Sequence, residues 1–291
     1  MLSVPAPAKI NLYLHVTGRR DDGYHLLDSL IAFAGIHDVL TFAPADALSL
    51  VVEGPYADAI PPGPENLVLR AAEALARAAG PDAGAAIRLD KRLPVASGIG
   101  GGSADAAAAF SGLMRLWGIG DDLPGLAALA LELGADVPVC LFGEAAFVGG
   151  VGEDVVRAPA LPPAWLVLAN PGARLETKAV FRERQGDFGK ADRFEESPGT
   201  AKALAELLAP RGNDLTAAAT ALAPAVGDVL AALEAADECL LARMSGSGAT
   251  CFGLFADAGA AARAAAMLGQ AEPEWWVRAT PLIADARALG A

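Results

Sequence analysis

The sequence predicts an α+β fold in two domains, and three observations carry that expectation. Strand-like apolar runs open the chain and recur at 85–90 and 165–169, alanine-rich helical runs lie between them, and glycines and prolines cluster near 150–165. The cluster sets the boundary, giving units of residues 1–155 and 156–291. A chain of 291 residues that is 54% hydrophobic has enough apolar material to build a core in each.

The elements read as follows. Residues 8–16 (AKINLYLHV) form a strand, 17–25 (TGRRDDGYH) a polar loop presented to solvent, and 27–42 a second strand or extended stretch. Residues 66–79 have helical spacing with Asn66 as the cap, and 85–90 (AAIRLD) is a strand leading into a glycine loop. A helix over about 103–117 follows, then one over 123–133 that stops at Gly134, then a proline-punctuated apolar stretch to Phe142. In the second unit a strand at 165–169 and a turn at Asn170-Pro171-Gly172 precede helices near 177–183, 200–208 and 215–236. A glycine hairpin from Met244 leads into a strand ending near Phe255, and a helix at 258–268 and a strand near 274–283 complete the layer; residues 184–199 read as a polar surface loop.

A net charge of −13 argues against broad binding to nucleic acid or an anionic membrane, and requires that any anionic substrate meet a local positive site. Cys140, Cys239 and Cys251 are far apart and form no CxxC pair, which argues against structural zinc and a disulfide framework and fits a reducing cytoplasm. The apolar runs are short and the first residues lack a signal pattern, so no membrane span and no export are expected.

Pro94-Val95-Ala96-Ser97-Gly98-Ile99-Gly100-Gly101-Gly102-Ser103-Ala104 carries the most chemistry. Glycines let successive backbone N–H groups converge on an anion with no Cβ in the way, and the helix beginning near Ser103 adds the positive end of its dipole. This is a cradle for a nucleotide phosphate. It is not a P-loop, because Gly102 is followed by Ser103 and Ala104 where Lys and then Ser or Thr are needed; it is not a dinucleotide fingerprint, because the third glycine counted from Gly98 falls on Ser103. No serine has glycine two residues away on both sides, which removes the hydrolase elbow. A flexible turn before a helix is the alternative reading of the loop taken alone.

Pro7-Ala-Lys-Ile-Asn-Leu12, the loop at 94–104 and Ser245-Gly-Ser-Gly-Ala249, in this order and spacing, resemble the three signature motifs of the GHMP kinases over nearly the whole chain. The resemblance narrows further: PAKINLYLHVTGRRDDGYH, KRLPVASGIGGGSADAA, LGADVPVCLFG and the turn at 170–172 are similar to the branch that uses ATP to phosphorylate the 2-hydroxyl of a cytidine diphosphate-linked methylerythritol in non-mevalonate isoprenoid synthesis. It implies the two-domain GHMP kinase fold with the active site in the interdomain cleft.

The same resemblance implies roles. Asp136 matches the general base and Lys9 the cation that orients it and offsets transition-state charge. Asn11 helps hold the erythritol portion, Tyr24 and His25 meet the cytosine, Phe181 closes over its other face, and Thr177 is a further candidate in that wall. The ATP phosphates lie on residues 94–104, with Ser103 near the Mg²⁺ that accompanies ATP and Asn66 near the adenine. Relatives often carry glycine where this chain has Ala96 and Ser97, and a second serine at the position of Ala104. Ser245 to Gly248 are expected to shape the wall of the site. The partners implied are small molecules, with no nucleic acid, membrane or obligate protein partner. The alternatives are a GHMP kinase of the homoserine or mevalonate type, whose substrates have no base to stack, and a non-catalytic binding protein on the same fold.

Overall fold

The computed structural model describes residues 2–60, 63–79, 83–120 and 123–290. The first unit opens with two long antiparallel strands, β1 (Leu2–Arg19) and β2 (His25–Pro44), joined by a turn at residues 20–24. Then come β3 (Ser49–Glu53), α1 (Leu67–Ala79) and β4 (Ala85–Asp90). Three helices follow, α2 (Gly101–Trp117), α3 (Leu126–Leu133) and α4 (Val137–Phe142), and a hairpin of β5 (Ala146–Gly150) and β6 (Asp154–Arg157) closes this part. The second unit has β7 (Trp165–Asn170), α5 (Thr177–Glu183), α6 (Ala201–Leu208), α7 (Thr216–Leu222), α8 (Ala225–Glu234), β8 (Leu241–Met244), β9 (Cys251–Phe255), α9 (Ala258–Ala271) and β10 (Trp276–Ile283).

Among the described residues, ten strands make one sheet whose main path runs β3-β4-β2-β10-β7-β9-β8. One edge of β2 is covered by β1. The other is shared by three strands in succession: β5 opposite Leu27–Ile31, β10 opposite Phe33 and Ala34, and β4 opposite Val39–Pro44. Strand β10 also pairs with β7 through six residues, so it splices the two units together. Alternation along β1 sends Ala8, Ile10 and Leu12 into the main core with Leu30, Leu166, Leu204 and Phe252, leaving Lys9 and Asn11 on the opposite face. A second core, built on Phe42, Ile87, Leu89, Phe110 and the alanines of α2, lies under the glycine loop's helix. None of the helices among the described residues is long and apolar enough to cross a membrane.

Four expectations shift, each for a local reason. Helix α2 starts at Gly101 instead of 103, because Gly100 takes a left-handed conformation (φ 63°) and lets the next residue turn helically at once. The expected helix over 215–236 is two helices, since Pro224 has no N–H to continue the first and opens the second. The apolar stretch to Phe142 is the short helix α4, with Pro138 in its first turn where a proline costs no hydrogen bond. The β5–β6 hairpin extends to Arg157, so it straddles the boundary drawn after residue 155. Strands β3, β5 and β6 have too few alternating positions to have been read as strands.

Candidate active site

A cleft of about 710 Å³ lies where the glycine loop, the start of β1, the start of α4, α5 and the β8–β9 connection meet. The loop is pinned from two sides. Lys9 N–H donates to Ile99 O (3.0 Å) and Thr250 N–H to Ser97 O (3.0 Å), while Ser97 Oγ donates back to Pro94 O (2.7 Å). Buried Ser245 links the three motifs: its Oγ accepts from Asn11 N–H and donates to Gly98 O, both at 3.1 Å. The first i→i−4 bond at this end of α2 is Ala104 N–H to Gly100 O, so the N–H groups just before it face the cleft's loop without helical partners. Ala96 sits at φ 52°, a left-handed value that favours glycine.

Gly98 combines the same left-handed φ (79°) with contact at the backbone itself: a Cβ there would lie 2.6 Å from both Ser245 O and Gly248 O. Gly98→Ala is therefore expected to cost about 1–3 kcal/mol from the backbone conformation alone, and to raise the KM for ATP by displacing the loop. Gly102→Ala is the control for the thermal melts, since its nearest protein neighbour would be Leu67 Cδ1 at 3.4 Å. Thermal melts and ATP titrations of the two variants check this; a Gly98→Ala protein that melts and binds ATP like wild type contradicts it.

Lys9 and Asp136 meet at the mouth of the loop, Nζ to Oδ2 at 3.1 Å. The lysine side chain is 5% exposed and the carboxylate 37%, so the acid is the end of the pair open to a substrate. Lys9 Nζ also donates to Asn11 Oδ1 (2.5 Å), and Asn11 Nδ2 donates to Ser29 Oγ (2.8 Å), which fixes the amide's orientation. The stem of Lys9 runs under Gly100, where a Cβ would come within 2.5 Å of Lys9 Cγ. Asp136 is the N-terminal flanking residue of α4, and its side chain makes no capping bond, so it is free to point at Lys9.

Beneath the loop lies a second charged group that the sequence did not reveal. Lys91 Nζ donates to Asp38 Oδ2 (2.5 Å) and Asp105 Oδ2 (2.7 Å), and all three side chains are almost wholly buried. Asp38 Oδ1 also accepts the N–H groups of Arg92 (2.5 Å) and Leu93 (2.8 Å). The cluster thus ties the chain entering the loop, through β2, to the first turns of the helix leaving it. Burial lowers the affinity of Lys91 for its proton, but the two carboxylates more than offset this and it stays charged. Burial, opposed by Lys91 and reinforced by Asp38, pushes the Asp105 carboxyl far above the usual range, and Asp105 Oδ1 has no hydrogen-bond partner.

The remaining expected residues divide into two groups. Asn66 lines the cleft, but its Oδ1 is engaged as the cap of α1, accepting from Val68 N–H (2.8 Å). Thr177 and Phe181 on α5 also line it, and Thr177 Oγ1 is 3.0 Å from Ser247 Oγ. His25 stacks on Phe181 with ring centroids 4.9 Å apart, and Tyr24 is 65% exposed beside it; neither lines the cleft. Burial and the Arg19 and Arg184 cations hold His25 below its ordinary value, so the ring is neutral near pH 7. Glu65 and Lys178 line the cleft as well, and neither carries a motif of its own; Lys178 stands three residues before Phe181, a spacing that puts both on one helix face.

Ser103 lines the cleft with Asp136, and no group of three or more His, Cys, Asp or Glu side chains suited to a metal occurs among the described residues. Such a donor set suits Mg²⁺, which takes one or two protein oxygens and completes its shell with phosphate and water.

Comparison with known proteins follows the same lines. The models for the GHMP kinases N terminal domain and the GHMP kinases C terminal domain match residues 66–144 and 191–274. The chain is 60% identical to the 4-diphosphocytidyl-2-C-methyl-D-erythritol kinase of Paramagnetospirillum magneticum, covering 97% of this chain and 98% of that one. It is 52% identical to the enzyme of the same name from Rhodospirillum rubrum, over 96% and 92%. Among solved structures it resembles a 4-(cytidine 5′-diphospho)-2C-methyl-D-erythritol kinase at 39% identity and a TM-score of 0.80, over 97% and 99% of the two chains. A homoserine kinase from Cytophaga hutchinsonii, at 19% identity and a TM-score of 0.71 over 98% and 96%, shares the fold.

Proposed function

The chain belongs to the GHMP kinases, and from that we propose that it transfers the γ-phosphoryl group of ATP to the 2-hydroxyl of 4-diphosphocytidyl-2-C-methyl-D-erythritol. The observation that carries the chemistry is the Lys9–Asp136 pair, with its acid end open, beside a loop that offers unpartnered N–H groups.

Asp136 takes the proton of the acceptor hydroxyl as the new O–P bond forms and the bond to the leaving ADP oxygen breaks. Lys9 holds the Asp136 carboxylate in place and, being buried, opposes the negative charge that grows on the transferred group. Asn11, locked by Ser29 and Lys9, is oriented to fix the erythritol portion. The loop from Pro94 to Ser103 binds the phosphates through backbone N–H groups, and apolar Ile60, Leu67 and Leu89 beside Asn66 take the adenine. Ser103 would help hold Mg²⁺ alongside the phosphates, and the ion would supply charge neutralisation. Phe181 offers one ring face to the cytosine, with the base entering where His25 now rests and Tyr24 folding in from solvent. The acidic chain and its three free thiols suit the cytoplasm. We draw the domain boundary after the β5–β6 hairpin, between Arg157 and Trp165.

ADP release in the presence of the cytidine-linked acceptor, homoserine or mevalonate tests the reading; turnover confined to the first is expected, and turnover with either of the others instead would replace it. Phe181→Ala should lower kcat/KM for the acceptor by roughly five- to a hundredfold, since base–aromatic stacking contributes on the order of 1–3 kcal/mol, with ATP affinity unchanged. Equal losses for both substrates would make Phe181 a structural support.

A further inference from the structure

We propose that Lys178 binds the diphosphate of the acceptor and is the residue that makes the site prefer a nucleoside diphosphate over a nucleoside. The inference rests on the cytidine-linked acceptor proposed above.

The cleft must hold two polyanions in a protein of net charge −13, so its positive charge has to be local. Its lining cations among the described residues are Lys9, Lys91 and Lys178, and there is no lining arginine. Lys9 is committed to Asp136, and Lys91 is enclosed by Asp38 and Asp105. Lys178 takes part in none of the ion pairs among the described residues and is exposed. ATP is provided for by the glycine loop and the start of α2. The acceptor's diphosphate has no such cradle, so Lys178 is the charge left to meet it.

Placement agrees with charge. The acceptor runs from a base, through ribose and diphosphate, to the hydroxyl that reacts. Phe181 marks the base end and Asp136 the reacting end. Lys178 lies on the same face of α5 as Phe181, one turn toward Thr177 and its Ser247 contact. A flexible ammonium with three donors at that point can reach phosphate oxygens while the ring three residues on holds the base.

Competitive inhibition against the acceptor at saturating ATP, with cytidine and cytidine diphosphate as probes, tests this on wild type, Lys178→Met and Lys178→Arg. Wild type should bind the diphosphate more tightly than the nucleoside. Lys178→Met should weaken cytidine diphosphate about ten- to a hundredfold, the scale of one hydrogen bond to a charged group, and leave cytidine, the KM for ATP and the melting temperature unchanged. Lys178→Arg should restore most of the loss. Unchanged inhibition by cytidine diphosphate in Lys178→Met overturns the proposal, and so does an equal loss for cytidine, which would mean that α5 had only shifted. A raised KM for ATP with the diphosphate unaffected assigns the lysine to the other substrate and likewise overturns it. If neither probe inhibits wild type, the cytidine-linked acceptor itself is wrong, and this inference falls with it.

Discussion

Asp136→Asn is expected to lower turnover by about 10²–10⁴-fold, the range that a well-placed general base contributes. The amide matches the carboxylate in shape and still offers an oxygen to Lys9 Nζ, which the carboxylate holds at 3.1 Å, so the pair keeps its geometry while losing the ability to take a proton. Asp136 makes no capping bond to α4, and its replacement leaves that helix alone. The melting temperature and the affinity for a non-hydrolysable ATP analogue should therefore stay near wild type, while single-turnover phosphorylation becomes slow. A variant that turns over within a few fold of wild type would remove Asp136 from the chemistry and leave Lys9 and the loop to act by charge and position alone.

Lys91→Met is expected to have the largest effect on stability. It removes the one cation from a site where Asp38 and Asp105 are both almost completely buried. Stripping one partner from a buried ion pair costs about 3–5 kcal/mol, because the charge left behind has neither water nor a counter-ion. Asp38 would keep the Arg92 and Leu93 N–H groups, but Asp105 would keep nothing, since its second oxygen is already without a partner. Denaturant midpoints measure the loss. Asp105→Asn should be far milder, because the carboxyl it replaces is held toward its neutral form and an amide oxygen can still accept from Lys91. If Lys91→Met falls by less than about 1 kcal/mol, water reaches the cluster and its burial has little energetic weight.

Much of the site was legible because its signals are local. Lys9 and Asn11 are two apart in an apolar strand, which by itself puts them on one face, and the glycine run announces close backbone approach whatever the surroundings. Asp136 after Gly134 reads equally as a turn residue or a base, and only the resemblance of its motif favours the second. The Lys91 cluster was hidden for a different reason: Asp38 and Asp105 lie 53 and 14 residues away, and no periodicity of β2 distinguishes a buried aspartate from a solvated one before the sheet is assembled. Lys178 carried no local mark except its distance from Phe181. In the fold, the split at Pro224 was available from proline chemistry but was outweighed by a long helical pattern. The short strands β3, β5 and β6 are held by pairing partners and not by their own composition.

Strand β10 has a consequence for the order in which this protein can be made. Its pairing partners on β2, Phe33 and Ala34, are synthesised long before Leu282 and Ile283, which end the last strand among the described residues. Until then Phe33 and Ala34 stay unpaired on that edge of β2, between the segments that β5 and β4 cover, and β7 lacks its neighbour on that side. The loop closed by this contact is among the longest the chain could form, so its entropy cost is met late. The core under α2 draws on the first unit alone and can collapse early, whereas the main core joins β1 and β2 to β7, α6 and β9 and needs both units. The register that sets Lys9 and the glycine loop against the β8–β9 connection is completed only once β10 is in place, which makes the competent cleft a product of both units together.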